Sequence, residues 1–230
     1  MNQPPAIDLF EALSTSRSLR RLKPDPIPDG IIRQLIEAGT MAPSGSNQQN
    51  WRFLAVTDPE KRAALAGIYR KGADLIGLRN YGEEGSPGGG GDERAQRLIA
   101  KSVRYLIDHI QDPPLLLLLC AVPLAAPEPP PGYQPPPNVV KFGERSEPAS
   151  ILLAVQNIML ACRAFELGTC PTTLHVLHED EVKKLLGIPE EVKTFVMMPI
   201  GYPTDRFGPV RRYPVEDVTF RDGWGKAWPG

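Results

Sequence analysis

Arg17, Ser18, Arg20 and Arg21 stand together near the start of the chain, and Arg211 and Arg212 stand near its end. A phosphate monoester is held by two or more guanidinium forks with small hydroxyl donors between them, and Arg-Ser-x-Arg at a helix end supplies both. Taken singly, each cluster reads first as a solvated charged face, and neither is specific. A second set of short donors and acceptors is Pro43-Ser44-Gly45-Ser46-Asn47-Gln48-Gln49. Pro43 fixes φ there, and Gly45 lets the main chain approach a ligand closely. Hydroxyls and carboxamides in such a loop can read the edge of a planar polar heterocycle without bringing formal charge. An ordinary helix-to-strand connection has the same composition. A third segment, Gly168-Thr169-Cys170-Pro171-Thr172-Thr173, can present backbone N–H groups to a ligand or serve as a plain turn.

Other chemistries find less support. His175 and His178 are spaced i, i+3, but no third Cys, His or clustered carboxylate joins them, so surface histidines are expected rather than a metal pair. Cys120 and Cys162 fall on apolar stretches and read as inert core thiols, and Cys170 reads as a packing residue. No G-x-G-x-x-G dinucleotide fingerprint is present, and no Ser-His-Asp or Cys-His arrangement can be argued. A formal net charge of -1 gives no global field to recruit nucleic acid. Three cysteines without a C-x-x-C suit a reducing cytoplasm, and Met1-Asn2-Gln3-Pro4-Pro5 lacks the pattern of a signal peptide. The longest apolar run, 115–122, is too short to span a bilayer. A cytoplasmic protein with no membrane segment is expected.

The elements that must position these residues follow from periodicity. Ile7, Leu9, Phe10 and Leu13 have helical spacing ahead of the first basic cluster. An amphipathic helix over 29–41 delivers the Pro-Ser-Gly loop to an apolar strand, Trp51–Val56. Asp58 and Pro59 then cap a further helix. The glycine run near 82–91 lacks a following Gly-Lys-Ser/Thr and reads as a mobile loop rather than a phosphate-binding one. A helix over 92–110 leads to 115–122, a strand apolar at every position and so buried on both faces. After the proline-rich stretch 123–137, residues 149–167 form the most apolar helix, with Gly168 as its C-cap. A short helix opening at 178–181 and a buried strand over 192–201 complete the core, and the tail carries Phe220, Trp224 and Trp228.

Taken in order, these pieces resemble the nitroreductase-like family of flavoproteins. Ser16-Arg17-Ser18-Leu19-Arg20-Arg21-Leu22-Lys23-Pro24-Asp25-Pro26 is similar to its opening R-R-S-I-R-R-F-x-P-x-P. Ala42-Pro43-Ser44-Gly45-Ser46-Asn47-Gln48-Gln49-Asn50-Trp51 is similar to A-P-S-G-x-N-x-Q-P-W. The helix ending Leu167-Gly168-Thr169-Cys170 resembles one ending G-L-G-S-C, and Leu185-Leu186-Gly187-Ile188-Pro189 and Pro199-Ile200-Gly201-Tyr202-Pro203 resemble L-L-G-I-P and P-L-G-Y-P. Each is weak alone; five in register are strong.

The resemblance implies an α+β three-layer sandwich, a mixed and mainly antiparallel sheet flanked by helices, in an intertwined homodimer with FMN at the interface. It implies one domain over 1–230, with an extension over about 203–230 packing on the partner subunit. Carried over by position, Arg17, Ser18 and Arg20 would hold the FMN phosphate, with Arg211 or Arg212 closing from the tail. Pro43, Ser44, Gly45 and Asn47 would line the ring and ribityl chain, with Gln49 assisting; the backbone around Thr172, Thr173 and Leu174 would face flavin N5, and Pro171 would join the cofactor contacts. Reducing equivalents would pass from NAD(P)H through FMN to nitroaromatic, quinone or other conjugated electron-poor substrates in ping-pong order, with no catalytic side chain required. Two other readings share the cofactor: an FMN-sequestering protein with little reductase activity, and a same-fold dehalogenase or biosynthetic dehydrogenase. Ser16 stands where the family pattern has its first Arg, and Asn50 where it has Pro.

Overall fold

The computed structural model describes residues 6–80, 93–124, 130 and 132–228. In chain order the helices are α1 (Leu9–Thr15), α2 (Asp29–Thr40), α3 (Pro59–Leu75), α4 (Glu93–His109), α5 (Pro137–Ala164), α6 (Glu179–Leu186) and α7 (Val215–Val218). The strands are β1 (Trp51–Val56), β2 (Leu115–Ala121), β3 (Gly168–Thr169) and β4 (Lys193–Gly201). They form one sheet in the order β1-β2-β4-β3, and every pairing among them is antiparallel.

β2 explains the layers. All seven of its residues are buried, and alternation sends them to opposite faces. Leu115, Leu117, Leu119 and Ala121 join Ile32 and Leu35 of α2 and Ile151, Ala154 and Ile158 of α5 in one core. Leu116, Leu118 and Cys120 join Leu65 and Tyr69 of α3, Leu106 and Ile107 of α4 and Val182 of α6 in a second. β4 divides the same way, Met198 into the first core and Met197 into the second. Two cores about one sheet make the α+β three-layer sandwich that the resemblance implies, but the sheet it implies to be mixed is antiparallel throughout among the described residues.

The strands at 51–56, 115–121 and 193–201 lie where the apolar runs put them. The long helix does not begin where expected. α5 starts at Pro137, its first turns are solvent-exposed, and Pro148 lies inside it. An exposed stretch carries no apolar period, so only the buried half, from Ile151 on, was visible as a helix. Nor is Gly168 its C-cap. The helix closes at Phe165, Glu166 takes the left-handed turn (φ 56°), and Gly168 belongs to β3. The glycine is needed for space, since a Cβ there would meet Leu22 Cδ2 at 2.7 Å and Leu19 Cβ at 3.0 Å. Gly187 does cap α6, in the left-handed conformation.

The described part of the proline-rich stretch, residues 123–124, 130 and 132–136, is exposed and has no helix or strand. The glycine-rich loop lies outside the described residues. Beyond 210 the tail is exposed nearly throughout, with Trp224 at 93%. Among the described residues no helix is long and apolar enough to cross a membrane.

Candidate functional site

Burial of Leu19 and Leu22 seats the N-terminal segment on the sheet edge. Both pack over Gly168, and Leu22 and the Lys23 carbonyl also lie against Gly201. Two residues without side chains thus make the groove that the segment fills. The Leu19 N–H donates to Thr169 O (3.0 Å), and the returning chain then runs beside this segment. Lys23 N–H donates to Tyr202 O (2.8 Å), Thr204 N–H to Arg21 O (3.0 Å) and Val210 N–H to Ser14 O (2.9 Å). Arg17 Nη2 completes the seam by donating to Arg206 O at 2.7 Å. The two basic ends therefore meet at one edge of the molecule. Arg17 and Ser18 are exposed on one side of the seam, and Arg211 and Arg212 follow directly after Val210 on the other.

Arg20 departs from its neighbours. It reaches between the segment and α4, where Nη1 donates to Ser102 Oγ at 3.3 Å. Its Nε is buried with no partner among the described residues. Arg20 lines a cavity of about 450 Å³ together with Tyr69 of α3, Val155 of α5 and residues 171–174. Thr172 is fixed in its wall by main-chain bonds in both directions with Met197, each 2.9 Å. The Tyr69 and Thr172 hydroxyls are 2.9 Å apart. Burial pushes the Tyr69 phenol up to about 12, against the opposing hydrogen bond to Thr172. A second cavity, about 600 Å³, opens beside Thr173 and Leu174 between Pro148, Val176, Leu177 and Phe195. At its rim Lys193 pairs with Glu147 at 2.6 Å.

The Pro-Ser-Gly loop lies apart from both cavities. Ser46, Asn47 and Gln49 take left-handed φ values of 50°, 52° and 48°, a costly backbone for residues with a Cβ. The turn is held by Gln49 N–H to Ser44 Oγ (3.0 Å) and Gln49 Nε2 to Asn47 Oδ1 (2.9 Å). Gly45 N–H donates to Ser150 Oγ on α5 at 3.1 Å. Pro43, Gly45, Asn47 and Gln49 are exposed.

Of the residues predicted from sequence, then, Arg20, Pro171, Thr172, Thr173 and Leu174 share one cavity. Arg17, Ser18, Arg211 and Arg212 lie along the seam, and Pro43, Ser44, Gly45, Asn47 and Gln49 form a separate loop. Tyr69 and Ser102 were missed; Tyr69 fell at a core spacing on α3, where its hydroxyl gave the only signal. The expectation of a surface His175 is corrected: it is fully buried, and neither ring nitrogen has a partner among the described residues. The turn that carries it, Leu174–His178, packs on α3, and burial lowers its pKa to about 4 while Glu179 opposes. Among the described residues no three His, Cys, Asp or Glu side chains cluster as metal ligands would.

This is the nitroreductase type of α+β fold. A BluB-like flavoprotein from Clostridium difficile 630 superposes with a TM-score of 0.69 at 21% identity, covering 95% of this chain and all of that one. An FMN and NADPH-dependent nitroreductase, NfnB from sphigopyxis sp. strain HMH, gives 0.64 at 20% identity over 95% of this chain and 100% of its own. The chain belongs to the nitroreductase family, whose model matches residues 13–84 and 140–202. Its relatives include a Thermus thermophilus NADH dehydrogenase, 25% identical over 228 residues that cover 93% of this chain and 96% of the relative. An iodotyrosine deiodinase from Thermotoga neapolitana is 26% identical over 216 residues, with the same coverage.

Proposed function

We propose that this protein is an FMN-dependent oxidoreductase that takes electrons from NAD(P)H and delivers them to nitroaromatic, quinone or other conjugated electron-poor compounds. The observation that carries the reading is the cavity that Arg20 lines with Thr172, together with the buried Arg20 Nε, which has no partner among the described residues. A buried donor without a partner fits a ligand that brings an acceptor. FMN, when bound, supplies the two-electron chemistry. The chain binds and orients it: Arg17 and Ser18, with Arg211 or Arg212 across the seam, hold the phosphate; Arg20 and residues 171–174 hold the ring. The loop of Pro43, Ser44, Gly45, Asn47 and Gln49 supplies further contacts from a second copy of the chain. The exposed tail, with Tyr213 at 72% and Trp224 at 93%, packs on that copy.

The test is a visible spectrum of the protein after incubation with FMN, followed by anaerobic addition of NADPH or NADH. A flavin band that bleaches supports the reading; a protein that stays colourless overturns it. A flavin band that persists on reductant favours a flavin-sequestering protein. The deiodinase relatives favour a second reading, reductive dehalogenation. Halide release from a halogenated phenol by the reduced holoprotein, with the nitroaromatic left untouched, would select it.

A further inference from the structure

We propose that Tyr69 is a positioning residue that fixes the direction of the Thr172 hydroxyl, so that Thr172 donates into the cavity that Arg20 lines. The inference rests on the FMN reading above and extends it to a residue that sequence reasoning passed over.

Both main-chain groups of Thr172 are occupied by Met197, so the side-chain hydroxyl is its only polar group with a direction still to be set. Across the 2.9 Å contact one of the two hydroxyls must donate and the other accept. Tyr69 is the donor because a phenol is the more acidic of the two hydroxyls and so the stronger donor. Its raised pKa keeps that proton in place at any working pH. With the Tyr69 proton in the contact, the Thr172 proton points away from Tyr69, and Thr172 lines the cavity. Arg20 lines the same cavity, and its buried Nε has no partner among the described residues. A guanidinium and a neutral hydroxyl donor in one wall match a ligand atom that gains negative charge on reduction. Tyr69 itself need not touch the ligand.

The experiment is the midpoint potential of bound FMN in the wild type, Tyr69→Phe, Thr172→Val and the double variant. Losing the oriented donor weakens binding of the reduced form against the oxidised one by about tenfold, or about 30 mV toward negative potential for a two-electron couple. The double variant should shift no further than Thr172→Val alone, because Tyr69 acts only through that hydroxyl. Additive shifts, or a potential unmoved in both single variants, overturn the proposal. If Tyr69→Phe does not fold, Thr172→Ser against Thr172→Val reads the same hydroxyl with Tyr69 present: serine should keep the wild-type potential and valine should not. A wild type that stays colourless with FMN overturns both this inference and the functional reading. A yellow protein whose potential ignores these substitutions overturns this inference alone.

Discussion

A Cβ on Gly72 would lie 2.5 Å from the carbonyl oxygen of Leu174, so α3 and the cavity wall meet backbone to backbone. Gly72→Ala must therefore push the 171–174 segment away or bend α3. The expected cost is about 1–3 kcal/mol, the usual range for overpacking. Gly67, on the same helix, has nothing within 4 Å of its would-be Cβ, so Gly67→Ala should stabilise by roughly 0.5–1 kcal/mol through helix propensity. Urea denaturation of the pair checks both, and equal effects would mean that the contact carries no strain.

Arg20→Ala removes the one guanidinium that, among the described residues, lines the 450 Å³ cavity. Loss of a charge-assisted bond should weaken FMN retention by roughly 1.5–3 kcal/mol. Quenching of flavin fluorescence on titration, at moderate salt, measures it. An unchanged affinity would put the ligand's acceptor atoms elsewhere on the protein.

His175 should make the fold acid-sensitive. Its folded pKa, about 4, lies below the ordinary 6.5, so as pH falls the unfolded chain takes up the proton first. Its contribution is intact above about pH 6.5 and is lost progressively down to about pH 4, reaching about 3 kcal/mol. Burial works to raise the Glu179 carboxyl, but the hydrogen bonds it accepts from the Thr194 N–H and hydroxyl, with the charge of Lys183, together hold it low. That contribution acts in the same sense, but only below the ordinary carboxylate range. Unfolding free energies between pH 7 and 4.5, for wild type and His175→Leu, separate the two. The variant's stability should vary less with pH across this window; parallel curves would show that His175 is not the group titrating.

The three thiols should be silent in the native protein. Cys120, Cys162 and Cys170 are each no more than 3% exposed, and burial pushes the Cys120 thiol up to about 11 and Cys162 higher. A thiol-specific chromogenic reagent at pH 8 should label none of them until denaturant is added. Rapid labelling without denaturant would mean that the sheet opens locally.

Legibility followed the range of the interaction. β1 and β2 were readable because a strand buried on one or both faces writes its pattern into adjacent residues. The first half of α5 was not, since exposed helix turns impose no apolar period and Pro148 argues against continuity. His175 was misplaced because its burial depends on α3, about a hundred residues earlier, and spacing between two histidines says nothing of what covers them. The cavity joins Arg20 to residues 171–174 across most of the chain. Nothing local in the sequence links them, and only the resemblance to a family placed them on one ligand. Tyr69 looked like one more core aromatic because its hydroxyl contact with Thr172 spans 103 positions.

Arg17 reaches the carbonyl of a residue 189 positions further along, and Val210 closes on Ser14. During synthesis the sheet's long-range antiparallel pairs and both cores can form while this edge still waits for the strip of polypeptide after β4. The arginine-lined rim thus closes late, and a nascent chain stopped short of residue 210 would hold a finished interior with half of that margin missing.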